Sequence, residues 1–286
     1  MAACSILSTG HVFYMKFINL VLICIINIFI AGVVYGKDDY YLHDAHIHYS
    51  KDMWEILPPE QAIKMLKDAN IKHALVSATP TEGAEKLYRE DAQLVVPMLR
   101  PYKSWRHRFT WFNDPQLKKY LLEHLAKIPY RGIGEFHVFG KDAGTPAIEE
   151  MISLARTKKL PLHAHTDLEG MQIILQKAQG VVVIWAHGGF DVPLKTLKSL
   201  VEANPKFYIE LSYREGMLDE QGDLLVPWKA FLNQYSKRFL VGMDTYKPSR
   251  WAALAENAQS TQHWLKQLSE ESAQNIASRN FNRLFR

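Results

Sequence analysis

From residue 39 onward, short runs of apolar positions alternate with longer stretches in which apolar residues return every three or four positions. The short runs read as strands and the longer ones as helices. Strands are expected at 39–48, 71–78 (IKHALVSA), 92–99 (AQLVVPML), 131–139, 160–165, 181–187 (VVVIWAH), 207–212 and 239–243. Helices are expected at 59–70, where Ala62, Ile63 and Leu66 share a face, and at 81–90, 114–127, 145–158, 168–179, 192–203 and 227–236, with 256–285 helical to the end. The punctuation agrees: Asn70 closes the first helix, Asp114 with Pro115 behind it opens the third, and Asp167 caps the fifth. Eight strand–helix units, with strand bodies apolar throughout as parallel strands covered on both faces must be, predict an α/β protein, a single (β/α)8 TIM barrel over residues 37–286. The competing architecture is an open doubly wound sheet. It would place a G-x-G-x-x-G at a helix opening after the first strand, whereas Gly132-Ile133-Gly134 lies inside the run of the fourth strand.

The first residues do not fit this alternation. Met15-Lys16 precedes an almost wholly apolar run from 17 to 34, followed by Gly36 and the charged Lys37-Asp38-Asp39. That is the layout of a secretory signal peptide, with cleavage expected after Gly36 and translation starting at Met1 or at Met15. The run is also long enough to span a bilayer, so an uncleaved anchor stays open as the alternative. The expected location is accordingly periplasmic or secreted, or else at the inner membrane through this segment alone.

Composition narrows the chemistry. The formal net charge of +4 over 286 residues gives no electrostatic footprint for nucleic acid, which is not an expected partner. Both cysteines, Cys4 and Cys24, lie in the leader. A chain cut after Gly36 therefore has no disulfide, no thiolate ligand and no cysteine nucleophile, and a metal would have to be held by His, Asp and Glu.

Such residues sit where a barrel builds its site, at the C-terminal strand ends. Strand one ends in His46-Ile47-His48, whose alternate side chains share a face. Strand four carries Glu135, strand five ends in His165, strand six in His187 and strand eight in Asp244. Singly, each has a plain reading as a hydrogen-bonded core histidine, a turn residue or an ion-pair partner. Together they are six ionisable groups ending apolar strands, and a divalent cation is the partner that satisfies them all.

Their order and local contexts resemble the amidohydrolase superfamily of metal-dependent TIM-barrel hydrolases. Asp44-Ala45-His46-Ile47-His48 is similar to its first-strand motif. Gly132-Ile133-Gly134-Glu135 is similar to the fourth strand of the TatD-like branch. Pro161-Leu162-His163-Ala164-His165 matches strand five and selects His165 over His163, which is left as a supporting or core residue. Trp185-Ala186-His187-Gly188-Gly189, Val241-Gly242-Met243-Asp244 and the closing stretch from Ile276 to Phe285 also match. Many members bridge two metals with a carbamylated lysine on strand four. Here Glu135 stands in that place, so one or two ions, zinc first among them, remain open. The resemblance implies that Asp244 relays the proton of a metal-activated water and that His187 helps to polarise the bond attacked.

The substrate is less legible. Residues 100–112 (RPYKSWRHRFTWF) form a basic, aromatic loop after strand three, and Arg100, His137 and Tyr213 are the candidate substrate contacts. Either the loop recognises a small, anionic or aromatic molecule, or its aromatics pack over helices while its arginines stay solvated. The reaction expected is hydrolysis of a small ester, lactone, amide or phosphoester. A one-zinc decarboxylase of the aminocarboxymuconate-semialdehyde type and a non-catalytic metal-binding barrel are the alternatives.

Overall fold

The computed structural model describes residues 39–286. The expected leader, its cleavage point and both cysteines lie outside the described residues. Among the described residues no helix is long and apolar enough to cross a membrane.

Eight parallel strands alternate with helices: β1 Leu42–His48, β2 Ile71–Ser77, β3 Val95–Pro97, β4 Ile133–His137, β5 Leu162–His165, β6 Val183–Trp185, β7 Phe207–Glu210 and β8 Phe239–Leu240. The ladders run β1-β2-β3 and β4-β5-β6-β7-β8. Two seams join them into a closed barrel. Between β3 and β4, Leu99 donates its N–H to the Gly132 carbonyl at 3.0 Å and accepts from Gly134 at 2.8 Å. Between β8 and β1, Ala45 donates to the Val241 carbonyl at 2.8 Å. The second seam is completed by a side chain. Asp44 Oδ1 accepts from the N–H of Met243 at 3.1 Å and of His46 at 2.9 Å, doing for the short β8 what a further rung of backbone would do.

The helices between strands are α1 Pro59–Asp68, α2 Glu82–Glu90, α3 Leu117–Leu125, α4 Pro146–Lys158, α5 Leu168–Lys177, α6 Leu194–Ala203 and α7 Val226–Gln234, each burying its apolar face against the barrel. Ala62, Ile63 and Leu66 are the buried face of α1, as their spacing predicts. Asp167 Oδ1 caps α5 by accepting from Gly170 N at 2.8 Å. The third helix begins later than expected. Asp114 Oδ1 accepts from Gln116 N at 2.8 Å and forms a turn of its own, and the helix starts only at Leu117.

The C-terminal region is not one helix from 256. It comprises α8 Pro248–Ala252, α9 Leu254–Leu265 and, after a break at which Ser269 takes the N-cap, α10 Glu270–Gln274, a π-turn at Asn275–Arg279 and α11 Asn280–Phe285. Phe281 and Phe285 from this last stretch plug one end of the barrel against Ala45, Leu75, Val96, Ile184 and Leu240. The opposite end, where the strands finish, carries the polar groups.

Candidate metal centre

Six ionisable groups nominated by sequence meet at that end. His46, His48, Glu135 and His187 are at most 3 % exposed, Asp244 is 7 % exposed, and His165 is partly open. His48 Nε2 lies 3.1 Å from His46 Nε2, 3.2 Å from Glu135 Oε2 and 3.2 Å from Asp244 Oδ1. His46 Nε2 lies 3.5 Å from Glu135 Oε1 and 3.6 Å from Asp244 Oδ1. His187 Nε2 is 3.9 Å from Glu135 Oε1 and 4.0 Å from Asp244 Oδ2. Ligands about 2.0 Å from a common tetrahedral ion stand about 3.3 Å apart, so these spacings suit one.

The imidazoles are oriented from behind. His46 Nδ1 is 2.7 Å from Glu210 Oε2, His48 Nδ1 is 2.9 Å from Ser77 Oγ, and His187 Nδ1 is 3.0 Å from the Ser212 carbonyl. With its proton on Nδ1 each ring would turn an Nε2 lone pair into the site; His48 also has Arg100 Nη2 3.1 Å from its Nδ1 and 3.2 Å from its Nε2. His165 is turned the other way. Its Nδ1 meets Glu135 Oε1 at 2.8 Å, and its ring stacks on His137 with centroids 4.2 Å apart.

Electrostatics favour positive charge at this point. Burial works to keep His46 neutral, yet Asp244, Glu135 and Glu210 together raise its pKa well above the ordinary value. Burial likewise opposes ionisation of Asp244, and the neighbouring His46 and His48 outweigh it, holding the carboxyl below the usual range. His187, by contrast, is pushed down, chiefly by burial and then by the charge of His46. Donor atoms within 4.8 Å of one another occur in the sets His46–His48–Glu135, Glu135–His165–His187 and His46–His187–Glu210. A buried cluster of imidazoles and carboxylates with inward lone pairs fits a divalent ion of the zinc type.

Backbone geometry places these groups. β6 stops at Trp185, two residues short of the expected His187, because the chain then enters the left-handed region at His187 (φ 59°) and Gly188 (φ 54°). β8 stops at Leu240, and Asp244 has φ 46°. Non-glycine residues take such conformations where the surroundings over-determine them, and here each turns its side chain towards the cluster.

Glu210, at the end of β7, was not among the sequence candidates. It is wholly buried and accepts from His46, from the N–H of His187 at 3.2 Å, and from Ser212 Oγ at 2.9 Å. The signal was present: a lone carboxylate ending the apolar run FYIE, the same pattern that singled out Asp244. Gly242 makes room for it, since a Cβ there would stand 1.9 Å from Glu210 Oε1.

Above these groups opens a cavity of ≈ 310 Å³ lined by His48, Glu135, His165, His187 and Asp244 below and by aromatic and basic residues around its mouth. The three proposed substrate contacts all line it. Arg100 is buried, with Nη2 2.7 Å from Glu135 Oε2, Nε 3.0 Å from the Glu135 carbonyl and Nη1 2.9 Å from Thr79 Oγ1. His137 is held by Tyr102 Oη at 2.9 Å, and burial keeps it neutral. Tyr213 is 42 % exposed at the rim. His163 is buried one step below, its ring centroid 4.8 Å from that of His46.

Comparison with protein-family models and with curated protein sequences gives no match. Solved structures do match. An amidohydrolase from Burkholderia multivorans with bound zinc aligns over 86 % of this chain and 99 % of its own, with 14 % identity and a TM-score of 0.58. The fold is that of the amidohydrolases. A candidate 2-pyrone-4,6-dicarboxylic acid hydrolase from Pseudomonas putida gives a TM-score of 0.59 at 14 % identity over 86 % of this chain and 98 % of its own. A 2,6-dihydroxybenzoate decarboxylase in complex with 2,6-dihydroxybenzoate gives 0.57 at 12 % identity over 87 % and 99 %. At these identities the likeness speaks for the barrel that the strand–helix alternation predicts.

Proposed function

We propose that this chain is a metal-dependent hydrolase of the amidohydrolase type, acting on a small ester, lactone, amide or phosphoester. The observation that carries the reading is the convergence of His48, Glu135, His187 and Asp244 on the floor of the cavity, with His46 at ligand spacing beside them. His46, His48 and Asp244, with Glu135 and His187 or His165 completing the set, would hold one or two divalent ions, zinc first. Such an ion supplies Lewis acidity and lowers the pKa of water towards neutrality.

The protein's own groups do the rest. Asp244 reaches the cavity with a carboxylate that accepts a proton from the attacking water and hands it to the leaving atom. Its left-handed backbone keeps that carboxylate directed inward. His187, kept neutral by burial, steadies the oxygen on which charge develops. Aromatic side chains around the mouth, Trp105, Phe190, Tyr213 and Tyr246, shed water from the reacting bond. Decarboxylation of a carboxylic acid is the second reading. It draws on the same ligand set, and on the likeness in fold to a 2,6-dihydroxybenzoate decarboxylase.

Elemental analysis of the purified protein after zinc reconstitution, with a metal-replete panel of esters, lactones, amides and phosphodiesters assayed for hydrolysis and of aromatic acids assayed for CO2 release, tests both readings. About one zinc or more per chain and turnover on one class are expected. In Asp244→Asn a retained zinc with a turnover loss on the order of a hundredfold or more is expected. A metal content near zero after reconstitution overturns both readings. We further propose that the segment before residue 37 directs the chain to the periplasm or the exterior, or anchors it at the inner membrane; N-terminal sequencing of the protein recovered from cell fractions decides between these.

A further inference from the structure

The cations around the cavity are not equivalent. Arg100 is spent on the structure: its guanidinium serves both the carboxylate and the carbonyl of Glu135 and also Thr79. Arg250 turns its guanidinium to the carbonyls of Met243 and Asp244 and lies over the Tyr213 ring at 4.7 Å. Arg108 has no such employment. Among the described residues its side chain meets no carboxylate and no carbonyl, and its Nε is fully buried with no hydrogen-bond partner. It lines the same cavity as Glu135 and Asp244.

Arg108 is nevertheless held in place. Its guanidinium lies 5.0 Å from the Trp105 ring centroid and 4.6 Å from that of Phe109, so one plane is gripped by aromatic faces. The short turn His107–Phe109 that carries it is fixed at the backbone, Arg108 N donating to the Ser104 carbonyl at 3.1 Å. The rest of the loop is rooted by buried Tyr102, Trp111 and Phe112, with Trp111 Nε1 donating to the His137 carbonyl at 2.8 Å. An arginine that merely kept the loop soluble would extend into water, whereas this one is stacked, partly buried and unpaired. A fixed guanidinium with free donors is built for a carboxylate or similar oxyanion. The other residues at its level, Trp105, Phe190, Tyr213 and Tyr246, offer ring faces, and the cavity is at the small end of ligand sites.

We infer that Arg108 is the anion receptor of the cavity and that its substrate is a small planar molecule with one anionic group directed to Arg108, the reacting bond lying over the His–Asp floor. This rests on the cavity being the active site. The role falls to Arg108 and not to Arg100, whose donors are already engaged.

The test is calorimetric titration of the zinc-reconstituted protein with benzoate and with benzamide, a planar anion and its neutral isostere. Benzoate is expected to bind at least about tenfold more tightly. In Arg108→Gln that gap closes, in Arg108→Lys it is kept in part, and in Arg106→Gln, an exposed neighbour on the same loop, it is unchanged. Circular dichroism and zinc content are recorded for every variant to show that the barrel is intact. A gap that persists in a folded Arg108→Gln, or that is missing in the parent protein, overturns the inference. An Arg108-dependent gap in a chain that takes up no zinc overturns the metal reading and keeps this one; a zinc-loaded chain indifferent to Arg108 does the reverse.

Discussion

Glu210 receives hydrogen bonds on both carboxylate oxygens. Oε2 takes them from His46, the His187 N–H and Ser212 Oγ, and Oε1 takes one from the Ser212 N–H. Every neighbour is a donor, so only a group that accepts on both sides fits. Burial would raise its pKa, but the charge on His46 and its hydrogen bond bring it down to about 2, and Glu210 stays ionised at any working pH. Glu210→Gln must turn an amide NH2 towards one of these donors, which loosens His46 and, through Ser212, His187. Zinc affinity measured by chelator competition should fall about 10–100-fold with the fold retained; an unchanged affinity would show that Glu210 does not set the ligand orientation. The sequence pointed to the floor of the site through residue type at strand ends, because few pressures other than function leave imidazoles and carboxylates there. It did not separate Arg100 from Arg108. Which arginine is paired and which is free depends on Glu135 and Thr79, remote in sequence and brought near only by closure of the barrel.

Among the elements, all eight expected strands form, and the differences sit at their ends. β6 and β8 are shorter than their apolar runs because apolarity reports burial, which continues past the last ladder bond, whereas pairing stops where the chain turns left-handed at His187 and towards Asp244. The C-terminal breaks were hidden because apolar residues keep helical spacing across Ser269. Strand contact also explains a glycine. At Gly134 in β4, φ is +138° and a Cβ would stand 2.3 Å from the His163 carbonyl on β5. Gly134→Ala therefore carries both a conformational and a steric penalty, together about 2–5 kcal/mol. Gly180, with φ +82° and nothing within 4 Å of its would-be Cβ, isolates the conformational part, about 1–2 kcal/mol in Gly180→Ala. Urea unfolding of the two variants measures both. Equal losses would mean that β4 and β5 can separate at Gly134 without cost.

At the scale of the whole molecule the barrel has unlike ends. One is plugged by Phe281 and Phe285 against apolar side chains of the strands, among them Ala45, Leu75, Val96, Ile184 and Leu240. The other gathers Glu135, Glu210 and Asp244 around His46, each buried carboxylate within 2.7–3.6 Å of one of its ring nitrogens. Apolar closure adds to stability whatever the solvent, whereas packed carboxylates repel unless positive charge sits among them. Part of that charge is supplied by Arg100, the same carboxylates raise the pKa of His46, and a divalent ion would supply positive charge more completely. Since the ion would bind the folded barrel and not the separated ligands of the unfolded chain, it should raise the melting temperature by mass action. At free zinc about a hundredfold above its dissociation constant the gain is about 2.7 kcal/mol. For a domain of this size each kcal/mol moves the midpoint by roughly 2–4 °C, so zinc-loaded protein should melt roughly 5–10 °C above chelator-treated protein. The difference should vanish in a folded His46→Ala, His48→Ala double variant, because two of the imidazoles that would hold the ion are gone. Coincident melting of the loaded and stripped parent protein would mean that the ligand cluster does not couple metal to folding. The His–Asp floor would then have to be explained as a hydrogen-bonded core.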